Sequence, residues 1–230
     1  MERRVSLDEI SDGKLYGLND MVKADSGGCE GCSACCRGMG TSIILDPLDI
    51  FRLTSNRGET FEQLLAGPLQ LNVVDGIILP NIRMEGQEEK CSFLDQEGRC
   101  GIHPYRPGFC RLFPLGRVYE DRSFRYFLQV HECRRENRSK VKVRKWIDTP
   151  DVKAYDRFVA DWHYFLRDLE TGMEDLGDEG LRKTVDMYVL KQFYITAYDV
   201  REDFYPQFYK RLAQAGAFAA GHGIEAAAES

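Results

Sequence analysis

The chain has 230 residues, 43% of them hydrophobic, enough for one large domain or two small ones whose core needs no crosslinks. Its formal net charge of -6 gives no global pull toward nucleic acid or membrane. No apolar run approaches the ~18 residues of a membrane span, and Met1-Glu2-Arg3-Arg4 meets Asp8 and Glu9 before any apolar stretch forms. Neither an anchor nor a secretory leader is expected, and a cytoplasmic location follows.

In chain order, residues 1–28 read as a lead-in that ends in the flexible Ser26-Gly27-Gly28. Asp46-Pro47 opens a short helix, because Asp accepts free backbone N–H groups and Pro suits the first helical position. A second short helix fits Glu59 to Ala66, closed by Gly67-Pro68. Residues 76–80, 91–94 and 123–128 are short, apolar and bounded by turn residues, which predicts strands of a small irregular sheet. A basic stretch follows, with Arg134, Arg135, Arg138, Lys140, Lys142, Arg144 and Lys145. From Thr149-Pro150 the pattern is helical, with Tyr155, Phe158, Val159, Trp162, Phe165, Leu166 and Leu169 on one side. Gly172 and Gly177 mark a break. Two further helices are expected, around Leu181–Ile195 and from about Arg201 to Ala219, and then a frayed tail. The expected fold is α+β: lead-in 1–28, a cysteine-bearing metal-binding region 29–145, a helical region 146–220 packed against it, and a flexible tail 221–230.

The eight cysteines all fall between Cys29 and Cys133. A reducing compartment gives clustered cysteines metal or redox roles more readily than disulfides. Cys29-x2-Cys32-x2-Cys35-Cys36 has the two-residue gaps that let successive thiolates face one centre. Its neighbouring glycines permit a tight wrap that aims N–H groups at sulfur. The first three cysteines match the opening of a bacterial four-iron motif, but the usual Cys-Pro ending is absent. Side chains of adjacent residues normally diverge, so Cys36 is expected to leave the centre that Cys35 joins and to serve a second site or act as a thiol. Cys91, Cys100, Cys110 and Cys133 form the second half of the set, framed by Pro104, Pro107 and aromatics. Arg37, Arg106 and Arg111 beside them can offset thiolate charge.

All eight are candidate metal ligands. A 4Fe-4S cluster on Cys29, Cys32, Cys35 and Cys110 is the first choice, since Pro107 and Gly108 bring Cys110 in rigidly. Zinc, held by thiolate pairs in a closed tetrahedral site, is the alternative or the occupant of a second site. His103 and His131 lie in the same region and are read as supporting residues, with His163 as packing.

This ordered set resembles the YkgJ-type cysteine-cluster family, a zinc- or iron-chelating domain. The resemblance rests on Cys29-x2-Cys32-x2-Cys35-Cys36, Cys91-x-Phe93-Leu94, Cys100-x-Ile102-His103-x2-Arg106-Pro107-x2-Cys110-Arg111 and Cys133, and implies metal binding. The cysteine cluster is also similar, at a distance, to that of flagellin lysine-N-methylases. That similarity implies an iron–sulfur-dependent protein-modifying enzyme as the alternative to a redox, electron-transfer or metal-handling protein. No G-x-G-x-x-G or other nucleotide loop is present, and no catalytic residue can be singled out. The partners expected are a metal ion or cluster and a protein. The basic stretch is diluted by Glu132, Glu136 and Asp148, which disfavours nucleic acid. The aromatic set from Tyr188 to Tyr209 reads as interhelical core rather than a ligand groove.

Overall fold

The structure is a computed structural model and describes residues 6–27, 32–135 and 137–226. Helix α1 (Leu7–Ile10) leads into strands β1 (Ser11–Tyr16) and β2 (Met21–Asp25). A 3-10 turn (Ala34–Cys36), α2 (Pro47–Arg57) and α3 (Phe61–Ala66) follow, then the hairpin of β3 (Leu69–Val74) and β4 (Ile77–Ile82). Next come β5 (Met84–Glu85), β6 (Lys90–Cys91), a second 3-10 turn (His103–Tyr105) and α4 (Gly108–Leu112). Strands β7 (Leu115–Glu120), β8 (Ser123–Gln129) and β9 (Ser139–Lys142) precede α5 (Val143–Ile147) and α6 (Val152–Leu176). Helix α7 (Glu179–Leu190) runs into a π turn (Lys191–Ile195), and α8 (Phe204–Ala220) ends the described helices. The chain is α+β, and no helix among the described residues is long and apolar enough to cross a membrane.

Two compact units divide it: residues 1–43 with 82–155, and residues 44–81 with 156–230. The first holds a three-stranded antiparallel sheet in the order β1-β8-β7, with the two-stranded pairs β2-β9 and β5-β6. The β7–β8 hairpin turns on Asp121 and Arg122, both at positive φ, the backbone a tight two-residue hairpin requires. Val22 and Ala24 of β2 are fully buried while Met21 and Lys23 face water, so this sheet covers core on one side only.

The second unit is mostly helical. Both caps at its start are capping boxes: Asp46 with Asp49 opens α2, and Thr60 with Gln63 opens α3. Its core is aromatic, with Phe158 and Phe208 ring centroids 4.7 Å apart and Trp162 and Phe193 4.8 Å apart. The buried Tyr194 hydroxyl donates to Leu45 O at 3.1 Å.

Three local expectations change. Strand geometry at 91–94 stops after Cys91, because the backbone turns so that Leu94 N reaches Cys91 O at 2.9 Å. Gly172 does not break its helix but lies inside α6, where an added Cβ would sit 2.6 Å from Ile224 Cγ2. Glycine is needed there for close approach, and Ile224 and Ala226, in the segment expected to fray, are buried.

Candidate metal centre

The loop that follows the first four cysteines is held to β6. Gly38 N donates to Glu89 O at 3.0 Å, and Arg37 forms a β-bridge with Lys90. That anchor puts the Ala34–Cys36 turn beside Cys91. Within the turn, Cys36 N donates to Ser33 O at 3.0 Å. Tight winding keeps the two adjacent cysteines on one side, and their thiols hydrogen-bond to each other. The expected divergence of Cys35 and Cys36 is therefore not what the turn produces.

Cys91 and Cys100 share a small loop. Leu94 and Cys100 form a bridge, and Gly101 N donates to Phe93 O at 2.8 Å. Asp95 Oδ1 accepts from Glu97 N and Arg99 N, which shapes the turn before Cys100. Each sulfur also accepts an N–H from the residue two positions on, Phe93 for Cys91 and Ile102 for Cys100. Such bonds favour the thiolate and are a recurring support for sulfur ligands.

Cys110 rides on α4, which starts after Pro107. Its neighbour Arg111 is only 7% exposed. The guanidinium donates to three backbone carbonyls: Arg106 O at 3.1 Å, Asp148 O at 2.8 Å, and Pro104 O. Two separate stretches, the 104–106 turn and the end of α5, are thereby tied to the helix that carries Cys110.

Cys32, Cys35, Cys36, Cys91, Cys100 and Cys110 all line one cavity of about 440 Å³. Ile43, Ile82, Phe109, Phe113 and Trp146 form apolar wall, Arg99 and Arg106 add positive charge, and His103 lines the cavity beside them. Trp146 is fixed by its indole N–H, which donates to Leu112 O and Phe113 O at 3.2 Å each. Arg106 Nη1 contacts His103 Nδ1 at 3.1 Å. The seven described cysteines are thiols, not disulfides. Cys133 does not line the cavity, and His131 is exposed beside it. Cys29 lies outside the described residues.

The Cys36 thiol, by donating to Cys35, lowers the Cys35 pKa to about 7, with Arg106 assisting. The same bond pushes Cys36 up. Burial raises Cys91 and Cys100, against the pull of their N–H donors. Burial, then the charges of Arg106 and Arg111, lower the His103 pKa and disfavour a third cation there.

This donor set fits a thiophilic metal. Soft sulfur ligands select zinc, copper(I) or iron–sulfur centres, and the cavity exceeds by far the ~30 Å³ share of one water. Among the described residues, no three His, Cys, Asp or Glu side chains already converge on one ion. The thiols instead ring the cavity wall. Sequence reasoning found the cysteines but not Trp146, whose place depends on packing against Leu112 and Phe113 rather than on any local pattern.

Fold and cavity thus define an α+β protein with a thiol-lined pocket suited to metal. The sequence profile of the family described as "CxxCxxCC: Putative zinc- or iron-chelating domain" matches residues 28–142, half of the chain. The chain belongs to that family. No curated protein and no solved structure matches it.

Proposed function

We propose that the cavity holds an iron–sulfur cluster and that the protein is a redox, electron-transfer or metal-handling protein of the cytoplasm. The observation that carries this reading is the gathering of six cysteines on one cavity wall. The proposed 4Fe-4S ligands are Cys32, Cys35 and Cys110, with Cys29 supplying the fourth thiolate from the same C-x2-C-x2-C run. What such a centre supplies when bound is one-electron chemistry, at a potential set by charge, hydrogen bonds to sulfur and solvent access. The chain's own residues serve those three ends. Arg106 offsets thiolate charge at Cys35 and Cys100. Phe109, Phe113 and Trp146 keep water from the wall, and Arg111 ties α4, which carries Cys110, to the backbone at Pro104, Arg106 and Asp148.

Zinc is the second reading. A tetrahedral Zn–S distance of ~2.3 Å draws its sulfurs to within roughly 3.8 Å of one another. The N–H-supported pair Cys91 and Cys100 offers two of the four donors, either as an alternative or as a second site.

Single Cys→Ser variants, purified without oxygen, test the ligand set. Loss of visible charge-transfer absorption in the Cys32, Cys35 and Cys110 variants, and its retention in Cys36→Ser, supports the assignment. Loss in Cys36→Ser with retention in Cys35→Ser overturns it. A colourless protein carrying zinc replaces the cluster with the second reading.

A further inference from the structure

We infer that the outer face of the β2–β9 sheet, together with α5, docks an acidic protein surface. The face is built by strand alternation. Val22 and Ala24 point into the core, so Met21 and Lys23 point out. The register pairs Met21 with Lys142 and Val22 with Val141. Lys140 and Lys142 are exposed on β9. Helix α5 continues the face, because Val143 and Ile147 are buried while Arg144 and Lys145 are exposed. Its start is pinned to the turn before β2, with Val143 N donating to Asp20 O and Arg144 N to Leu18 O. Among the described residues, no carboxylate pairs with Lys23, Lys140, Lys142, Arg144 or Lys145.

The positive charge is local. Of the chain's 31 Lys and Arg and 37 Asp and Glu, the second unit holds 10 and 19, which leaves 21 basic against 18 acidic residues in the first. A net-acidic protein thus presents an unpaired cationic face around an exposed methionine, 48% accessible, and methionine is enriched in protein interfaces. Lysines on an edge strand also guard against strand pairing. Both strands of this two-stranded sheet are edges, so that role extends to Lys23, but it does not account for Arg144 and Lys145 on a helix.

A protein partner fits better than a nucleic acid. Asp20 and Asp148 are exposed at the margins, and Asp25 lies on β2 itself. Such a mixed-sign border weakens the grip on any uniform polyanion and matches best a folded surface carrying both signs. No aromatic side chain lies among these exposed residues to stack a base. The other side of α5 carries Trp146 on the thiol cavity, so a docked protein lies about one helix diameter, ~10 Å, from that cavity. Binding at this face does not depend on which metal the cavity holds.

The test titrates the reduced full-length chain into fluorescein-labelled poly-L-glutamate and, separately, into a single-stranded oligonucleotide of equal charge, with anisotropy as readout. Poly-L-glutamate is expected to bind, and to weaken at least about tenfold when salt rises from about 0.05 to 0.3 M, as screening of exposed charges requires. K140E/K142E/K145E is expected to weaken binding at least about tenfold at low salt, whereas K183E/K191E/K210E, with the same change in net charge, changes it less than about twofold. If the reversal set does not give a cooperative melt, K140Q/K142Q/K145Q replaces it, with an expected loss of about threefold or more. Equal losses in the two sets, tighter binding of the oligonucleotide, or no binding of poly-L-glutamate at low salt each overturn the inference.

Discussion

Replacing Arg111 by alanine removes the one side chain that bonds three carbonyls around Cys110: those of Pro104, Arg106 and Asp148. A hydrogen bond from a charged donor contributes ~1.5–3 kcal/mol, and a neutral one about 1. Water entering the space left by the side chain would satisfy part of the loss, so about 1 kcal/mol per carbonyl is the fitting figure. The expected destabilisation is about 3 kcal/mol, or roughly 6–12 °C in Tm for a chain of this size. Arg111→Lys keeps the charge, but a single ammonium cannot span three diverging acceptors, and it should recover only about 1 kcal/mol of the loss. The assay is urea unfolding of the metal-free, reduced protein, which separates the clamp from any effect of a bound centre. An Arg111→Ala variant within about 1 kcal/mol of the parent would refute the clamp. So would a lysine variant as stable as arginine.

Gly172→Ala should destabilise by about 1 kcal/mol, since overpacking against Ile224 outweighs the ~1 kcal/mol of helix propensity gained. In an Ile224→Ala background the same change should stabilise instead, which a double-mutant cycle reads directly. Burial raises the pKa of Asp186, with Arg182 and the backbone at Ile78 only partly offsetting it. The folded state therefore holds the proton more tightly than the unfolded state. This group's contribution is favourable below the unfolded pKa and is lost as pH rises through the folded one. Asp186→Asn should flatten that fall in a denaturation series from about pH 4 to 6 and be neutral or stabilising at pH 7. Cys133→Ser should retain the metal content of the parent, because Cys133 lies off the cavity wall. Loss of metal there would place that thiol in the centre after all.

What the sequence disclosed were features with local causes. Asp46-Pro47 announces a helix start because a cap is a contact between neighbours, and that cap forms. The C-terminal helices are legible because one-sided apolar spacing reflects one buried face. The cysteine spacing reveals a metal-type motif because ligands must be thiols whatever surrounds them. Non-local features were hidden. Strands β1 and β2 have little apolar alternation to announce them and exist through pairing with β8 and β9, far along the chain. Gly172 has the sequence look of a helix break, and only the returning Ile224 explains it. Cys35 and Cys36 defy the usual divergence of neighbours because a 3-10 turn, pinned to Lys90 and Glu89, sets their direction.

The most direct test of the central claim is elemental. Protein expressed with iron and sulfide supply and purified without oxygen should carry iron and acid-labile sulfide in equal amounts, at about four of each per chain for the cluster on Cys29, Cys32, Cys35 and Cys110. Zinc without sulfide contradicts the cluster but leaves the thiol-lined cavity as a metal site. Neither metal, from a folded protein with all eight cysteines reduced, contradicts the account itself.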